Sequence, residues 1–227
     1  MRKGATVRTR CDSRFERKLR AQGYTLVAGL DEAGRGSLFG PVYAGAVILP
    51  PEHPIRGLRD SKQLSPARRE KLAEEIRKFA LGWAVASVDA EEIDRINIYQ
   101  ASRLAMKRAI ERLSQTPDFL LVDALSIDLP IPQEGLIKGD CRCQSIAAAS
   151  ILAKVDRDAC MCEWDSVYPQ YGLRASKGYP TAEHVRALER FGPTPLHRFT
   201  YEPVRRFRFG EQLSLPLPPK ESVERCI

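Results

Sequence analysis

Between Gln144 and Trp164 the chain runs "QSIAAASILAKVDRDACMCEW". The spacing predicts one long helix that is apolar over most of its circumference, and such a helix must pack deeply. The rest of the chain has to supply the layers that cover it. Short continuous apolar runs supply candidates for strands: "TLVAGL" (25–30), "PVYAGAVIL" (41–49), "GWAVASV" (82–88), "DFLLVDA" (118–124) and the shorter "GLIKGD" (135–140). A helix is expected at "SPARREKLAEEIRKFA", with Ser65 as N-cap and Pro66 in the first turn. Helices are also expected over 97–113 and 181–191. Three strands with one helix among them, followed by alternating helices and strands, predict an α/β domain built on a mixed sheet.

The ends of the chain differ from the middle. Residues 1–24 form a basic segment with Arg14, Arg17, Lys18 and Arg20, read as a solvated first helix, with an auxiliary DNA contact as the alternative. Residues 25–209 hold the core pattern. From Gly210 to Ile227 the chain is polar and Pro-rich, and reads as a flexible tail. The net charge of +7 points to a polyanionic partner, most simply nucleic acid. No apolar run is long enough to span a membrane, and the N-terminus lacks the apolar stretch of a secretory signal. A cytoplasmic location is therefore expected, with a monomer as the default. Four of the six cysteines form two C-x-C pairs, Cys141/Cys143 and Cys160/Cys162. Zinc sites use wider spacing, so these are read as reduced thiols.

Acids close the apolar runs. Asp31 and Glu32 follow "LVAGL", Asp123 follows "FLLV" and Asp140 follows "LIKG". Strand ends of an α/β sheet open onto the ligand crevice. Four converging carboxylates repel unless a hard cation neutralises them, and Mg²⁺ prefers oxygen ligands. A pair of such ions is the usual device for phosphodiester cleavage. Gly34-Arg35-Gly36 follows at once; glycine lets backbone approach a ligand closely, and Arg35 suits a phosphate or a sugar hydroxyl. A dinucleotide-binding loop would need a glycine where Phe39 stands.

The motifs "GLDEAGRGSLFGPVYAGAVIL", "LRDSKQLS", "LLVDA", "KGD", "SIAAASILAKVDRD", "PQYG", "SKGYPT" and "LHRFTYEPV" resemble, in order and spacing, bacterial ribonuclease HII from about Val27 to Arg206. The resemblance implies a ribonuclease H-like fold: a mixed five-stranded sheet flanked by helices, with a C-terminal helical segment. It implies cleavage of the RNA strand of RNA–DNA hybrids and nicking of duplex DNA 5′ to an embedded ribonucleotide, with Mg²⁺ or Mn²⁺, leaving 3′-hydroxyl and 5′-phosphate ends. Asp31, Glu32, Asp123 and Asp140 would be the metal-binding catalytic acids. Gly34, Arg35 and Gly36 would sense the 2′-hydroxyl, Tyr179 would stack on a sugar, and Lys62 would contact phosphate. His197 and Arg198 are expected to support the fold, and His53 and His184 to be bystanders. The family commonly has Ser or Thr near Cys143 and Asp156; the departure leaves a redox-sensitive Cys143 beside Asp140 as an open reading. The alternatives are a type 3 ribonuclease H, which usually carries an extra N-terminal domain and lacks Gly-Arg-Gly, and a catalytically idle hybrid-binding module, which would not need four acids. In the tail, "QLSLPL" places Gln212, Leu213, Leu215 and Leu217 in an alternating pattern suited to a groove on a partner. It is similar to the short motif by which bacterial proteins dock on the replicative sliding clamp.

Overall fold

The computed structural model describes residues 11–209. The first ten residues and the tail with Gln212, Leu213, Leu215 and Leu217 lie outside them. Five strands form one sheet: β1 (Val27–Ala33), β2 (Val42–Ile48), β3 (Gly82–Val88), β4 (Phe119–Asp123) and β5 (Gln133–Leu136), in the spatial order β3-β2-β1-β4-β5. β1, β2 and β3 pair antiparallel, and β4 and β5 extend the sheet in parallel from β1. The sheet is mixed and five-stranded, as expected.

The helices are α1 (Arg14–Ala21), α2 (Pro66–Phe79), α3 (Ala90–Ile96), α4 (Ile98–Glu111), α5 (Gln144–Val167), α6 (Leu173–Ser176) and α7 (Ala182–Phe191). Ser65 caps α2, its hydroxyl accepting from the Arg68 amide, and Thr181 caps α7 through the His184 amide. The short α3 was not expected from the sequence; Asp89 caps it through the Glu92 amide.

Alternation along the strands divides the core. Ala28, Leu30, Leu120 and Val122 pack against Ala101, Ala105, Met106 and Ala109 of α4 on one face. On the other face lies α5. Its Ala147, Ala148, Ile151 and Leu152 meet Val47 of β2 together with Leu72, Ala73 and Ile76 of α2. The long apolar helix is thus enclosed between sheet and α2, which explains its nearly continuous burial from Ser145 to Ala153. Contact with β1 is close because residue 29 has no side chain: a Cβ there would lie 2.1 Å from the Ser145 carbonyl carbon. The last third of α5 carries Trp164 into a separate cluster with Tyr171, Leu173 and Leu188, which anchors the C-terminal helical segment.

The first helix is docked rather than simply solvated. Leu19 packs with Val27, Phe119 and Ile146. Glu16 is buried, and its Oε1 accepts the Ser145 amide at 2.8 Å and the Cys143 thiol at 3.2 Å. A carboxylate at the start of α5 satisfies an orphan amide and complements the helix dipole. The basic composition of the segment hid this acid.

Candidate active site

The acids converge, though three of them sit elsewhere than expected. Asp31 and Glu32 lie within β1, which runs on to Ala33. The antiparallel partner β2 holds them there, through Asp31–Gly45 and Glu32–Ala44 pairing. Asp123 is the last residue of β4. The parallel register Leu30–Val122 makes it the lateral neighbour of Asp31. Asp140 is not at the end of a strand. β5 stops at Leu136, Lys138 turns left-handed (φ 55°), and Asp140 falls in a 3-10 turn, Gly139–Cys141. The turn is tied back to β4, since the Gly139 amide donates to Asp123 Oδ1 at 2.7 Å.

All four carboxylates line one cleft of about 530 Å³. Burial, followed by the charges of Glu32 and Asp123, pushes the Asp31 carboxyl well above its ordinary value. Burial also raises Glu32, against the pull of the Arg35 guanidinium 3.2 Å from its Oε1. Asp123 is raised by burial and by Asp140, against the Gly139 amide. Glu32 Oε2 is buried and has no hydrogen-bond partner among the described residues. Crowded, desolvated carboxylates with an oxygen left unspent form a hard, all-oxygen donor set that fits Mg²⁺ or Mn²⁺.

A second grouping brings ligand atoms of Asp60, Asp140 and Cys141 within 4.8 Å of one another. It suits a cation less well. Burial and Asp140 push the Cys141 thiol up to about 11, so it stays protonated at neutral pH, and its Sγ faces Asp60 as a donor. Cys143, expected beside Asp140, is buried against Glu16 and Ser145, and its thiol is raised by burial.

The remaining expected residues also reach the cleft: Gly34, Arg35, Gly36, Lys62 and Tyr179. Gly34 has φ 96°, and a Cβ on it would lie 2.1 Å from Arg157 Nε. Lys62 follows the Asp60 cap of a 3-10 turn, Ser61–Gln63. Burial would lower its ammonium, but Asp60, Asp31 and Asp140 together outweigh burial and hold it above the usual lysine value.

Residues the sequence reading did not single out complete the site, most of them from α5. The Ser150 hydroxyl hydrogen-bonds Asp31 and meets the Ser61 hydroxyl at 3.0 Å, joining α5 to the Lys62 turn. Lys154 lines the cleft, and its Nζ is 2.5 Å from Asp158. Arg157 is fully buried. It donates to the Lys177 carbonyl at 2.9 Å and the Ser37 hydroxyl at 2.7 Å, and its guanidinium lies 5.3 Å from the Tyr179 ring centroid. The only sequence signal for this trio was their place on a helix expected to be core.

His184 lies outside the cleft lining but is tied into the fold behind Tyr179. It is buried, and its Nε2 lies 3.1 Å from His197 Nε2. The Thr194 amide donates to His197 Nδ1, so the His197 proton sits on Nε2 and is donated to His184. His184 in turn donates from Nδ1 to the Tyr179 carbonyl at 3.0 Å. Burial lowers both imidazoles, and the neighbouring His184 ring adds to the lowering of His197. His53, by contrast, stacks on Phe79 away from the cleft.

The family model for ribonuclease HII matches residues 28–204, a span that contains every one of these cleft residues. The chain belongs to the ribonuclease HII family. A ribonuclease HII from Solibacter usitatus is 64% identical over 196 residues, 86% of each chain. Among solved structures, the ribonuclease H2 from Pyrococcus horikoshii OT3 is similar with a TM-score of 0.69 and 27% identity, over 82% of this chain and 100% of that one. The ribonuclease HII in the PCNA:RNase HII complex from Archaeoglobus fulgidus gives 0.68 and 27%, over 82% and 98%. The chain is accordingly a ribonuclease H nuclease with the ribonuclease H-like α/β fold. No helix of the described residues is long and apolar enough to cross a membrane.

Proposed function

We propose that this ribonuclease HII cuts the RNA strand of RNA–DNA hybrids and also nicks duplex DNA on the 5′ side of an embedded ribonucleotide, leaving 3′-hydroxyl and 5′-phosphate ends. Action on hybrids follows from family membership; the nicking and its metal dependence are the further reading. The observation that carries it is the convergence of Asp31, Glu32, Asp123 and Asp140 on one cleft, with a buried Glu32 oxygen left without a partner among the described residues. A binding module would gain nothing from burying mutually repelling carboxylates.

Asp31, Glu32, Asp123 and Asp140 would hold the ions. When bound, Mg²⁺ or Mn²⁺ supplies Lewis-acid stabilisation of the phosphate and lowers the pKa of the attacking water. The chain's own residues do the rest. Ser150 and the Gly139 amide orient Asp31 and Asp123. Lys62, kept charged by its acidic neighbours, offers a cation to a backbone phosphate. Gly34–Gly36 brings bare backbone to the ribose, whose 2′-hydroxyl distinguishes RNA from DNA. Tyr179, half-exposed and backed by the Arg157 guanidinium, offers a face to the next sugar.

The test is a duplex carrying one ribonucleotide, incubated with Mg²⁺, with Mn²⁺ and with chelator. A nick on the 5′ side with either ion and none with chelator is expected. Intact strands under every ion would refute the reading. For the tail, we propose clamp docking through Gln212, Leu213, Leu215 and Leu217 on the strength of the sequence pattern; the Archaeoglobus relative was solved in complex with PCNA, which supports a clamp as the partner.

A further inference from the structure

The segment Thr194–Tyr201 contributes no residue to the lining of the cleft, yet two of its side chains end on the Gly34–Gly36 loop. Arg198 is fully buried; its Nε donates to the Gly40 carbonyl at 3.0 Å and its Nη1 to the Arg35 carbonyl at 2.9 Å. The Tyr201 hydroxyl donates to the same Arg35 carbonyl at 2.8 Å. The Arg198 guanidinium lies 5.3 Å from the Tyr201 ring centroid, so the two donors also brace each other.

The segment that carries them is itself fixed. Asp94 of α3 accepts the amides of Phe199 and Thr200 at 2.7 and 3.0 Å. The Arg198 amide donates to the Leu38 carbonyl, and the Gly40 amide donates to the Leu196 carbonyl, both at 2.8 Å. Nothing in this arrangement can drift without breaking several hydrogen bonds.

A carbonyl oxygen has two lone pairs, and here both are taken by fixed donors. The orientation of the whole Arg35–Gly36 peptide plane is thereby set. In a trans peptide the Gly36 N–H points opposite to the Arg35 carbonyl. Arg198 and Tyr201 therefore turn that amide away from themselves. Gly36 lines the cleft, and its amide donates to no acceptor among the described residues. A fold-supporting arginine would need neither the shared acceptor nor the tyrosine.

We propose that Arg198 and Tyr201 are positioning residues for substrate recognition: together they hold the Arg35 carbonyl and so fix the loop in the orientation that reads the ribose. The inference rests on the reading of Gly34–Gly36 as the ribose sensor. It also predicts which substrate suffers when the hold is loosened. A duplex with one ribonucleotide offers one 2′-hydroxyl, so the loop alone sets the register. A continuous RNA strand offers a hydroxyl at every step, and a misaligned loop can still engage one.

The experiment compares wild type and Tyr201→Phe, which deletes one donor and keeps the ring against Arg198. Both kcat and KM are measured on a single-ribonucleotide duplex and on a continuous hybrid, beside a thermal melt. Loss of one hydrogen bond corresponds to roughly a fivefold to tenfold fall in kcat/KM on the single-ribonucleotide duplex. The hybrid should fall only about twofold, with Tm shifted by less than ~3 °C. Equal losses on both substrates, or no loss on either, would overturn the positioning role while leaving the nuclease reading intact. Failure of the wild type to nick the single-ribonucleotide duplex, with the hybrid still cut, would instead remove the ribose-sensor reading and this inference with it.

Discussion

Gly29 of β1 and Ser145 of α5 touch backbone to backbone. A Cβ on Gly29 would lie 2.1 Å from the Ser145 carbonyl carbon and 2.3 Å from the Ile146 amide nitrogen. Neither atom is the end of a flexible side chain, so one added methyl must push strand and helix apart. Gly29→Ala is expected to cost about 3 kcal/mol, lowering Tm by roughly 6–12 °C. A melt within about 2 °C of wild type would contradict the packing described between sheet and α5.

Asp31→Asn should separate chemistry from stability. Burial and two neighbouring carboxylates raise the folded Asp31 above its unfolded value, so its charge at neutral pH opposes folding. Removing that charge is expected to raise Tm in chelator and to remove cleavage, by about 10²-fold or more. Wild type should gain Tm on addition of Mg²⁺ or Mn²⁺ by mass action, and the variant much less. A variant that is less stable in chelator and still cuts would refute the assignment.

The buried histidine pair carries a pH prediction with a definite sign. Both folded imidazoles are lowered relative to the ordinary value of 6.5. The unfolded chain therefore takes up protons first as pH falls, and the pair's contribution to stability, complete above about 6.5, is lost below it. Nitrogen NMR above pH 7 should find both rings neutral, with the proton on Nε2 of His197 and on Nδ1 of His184. A doubly protonated ring at that pH, or the reverse tautomers, would break the chain of hydrogen bonds that ends on Tyr179.

Deleting residues 211–227 should leave cleavage of a short duplex unchanged and abolish capture by the sliding clamp. Equal capture of the truncated and full-length proteins would rule out docking through "QLSLPL".

Much of this is legible in the sequence. Ser65-Pro66 marked the start of α2, and the apolar circumference of 144–164 marked the buried helix, because both signals are local. The acids were found by type but not by exact place. Asp31 and Glu32 belong inside β1 because β2 pairs with them, and pairing is a long-range fact. Asp140 sits on a turn created by left-handed Lys138, which a run ending in "KGD" does not announce. Glu16 and the burial of His184 gave no sequence signal for the same reason: the partners they bond, Ser145 and His197, are 129 and 13 residues away. Ser150, Lys154 and Arg157 went unremarked because a core helix gives no hint of which turn faces a cleft.

That helix has a bearing on how the protein can vary. Over eight residues α5 supplies Ser150 to Asp31, Lys154 to the cleft and Arg157 to the floor beneath Tyr179 and Gly34. Each residue inserted into a helix rotates everything beyond it by about 100°. A single insertion or deletion between Ser145 and Arg157 would turn Arg157 away from the loop it underlies while Gly29 still pinned the start of the helix. Length changes among natural variants should therefore cluster outside this stretch, in the connections and at the chain ends, and the spacing of Gly29, Ser150 and Arg157 should act as a fixed ruler along the molecule.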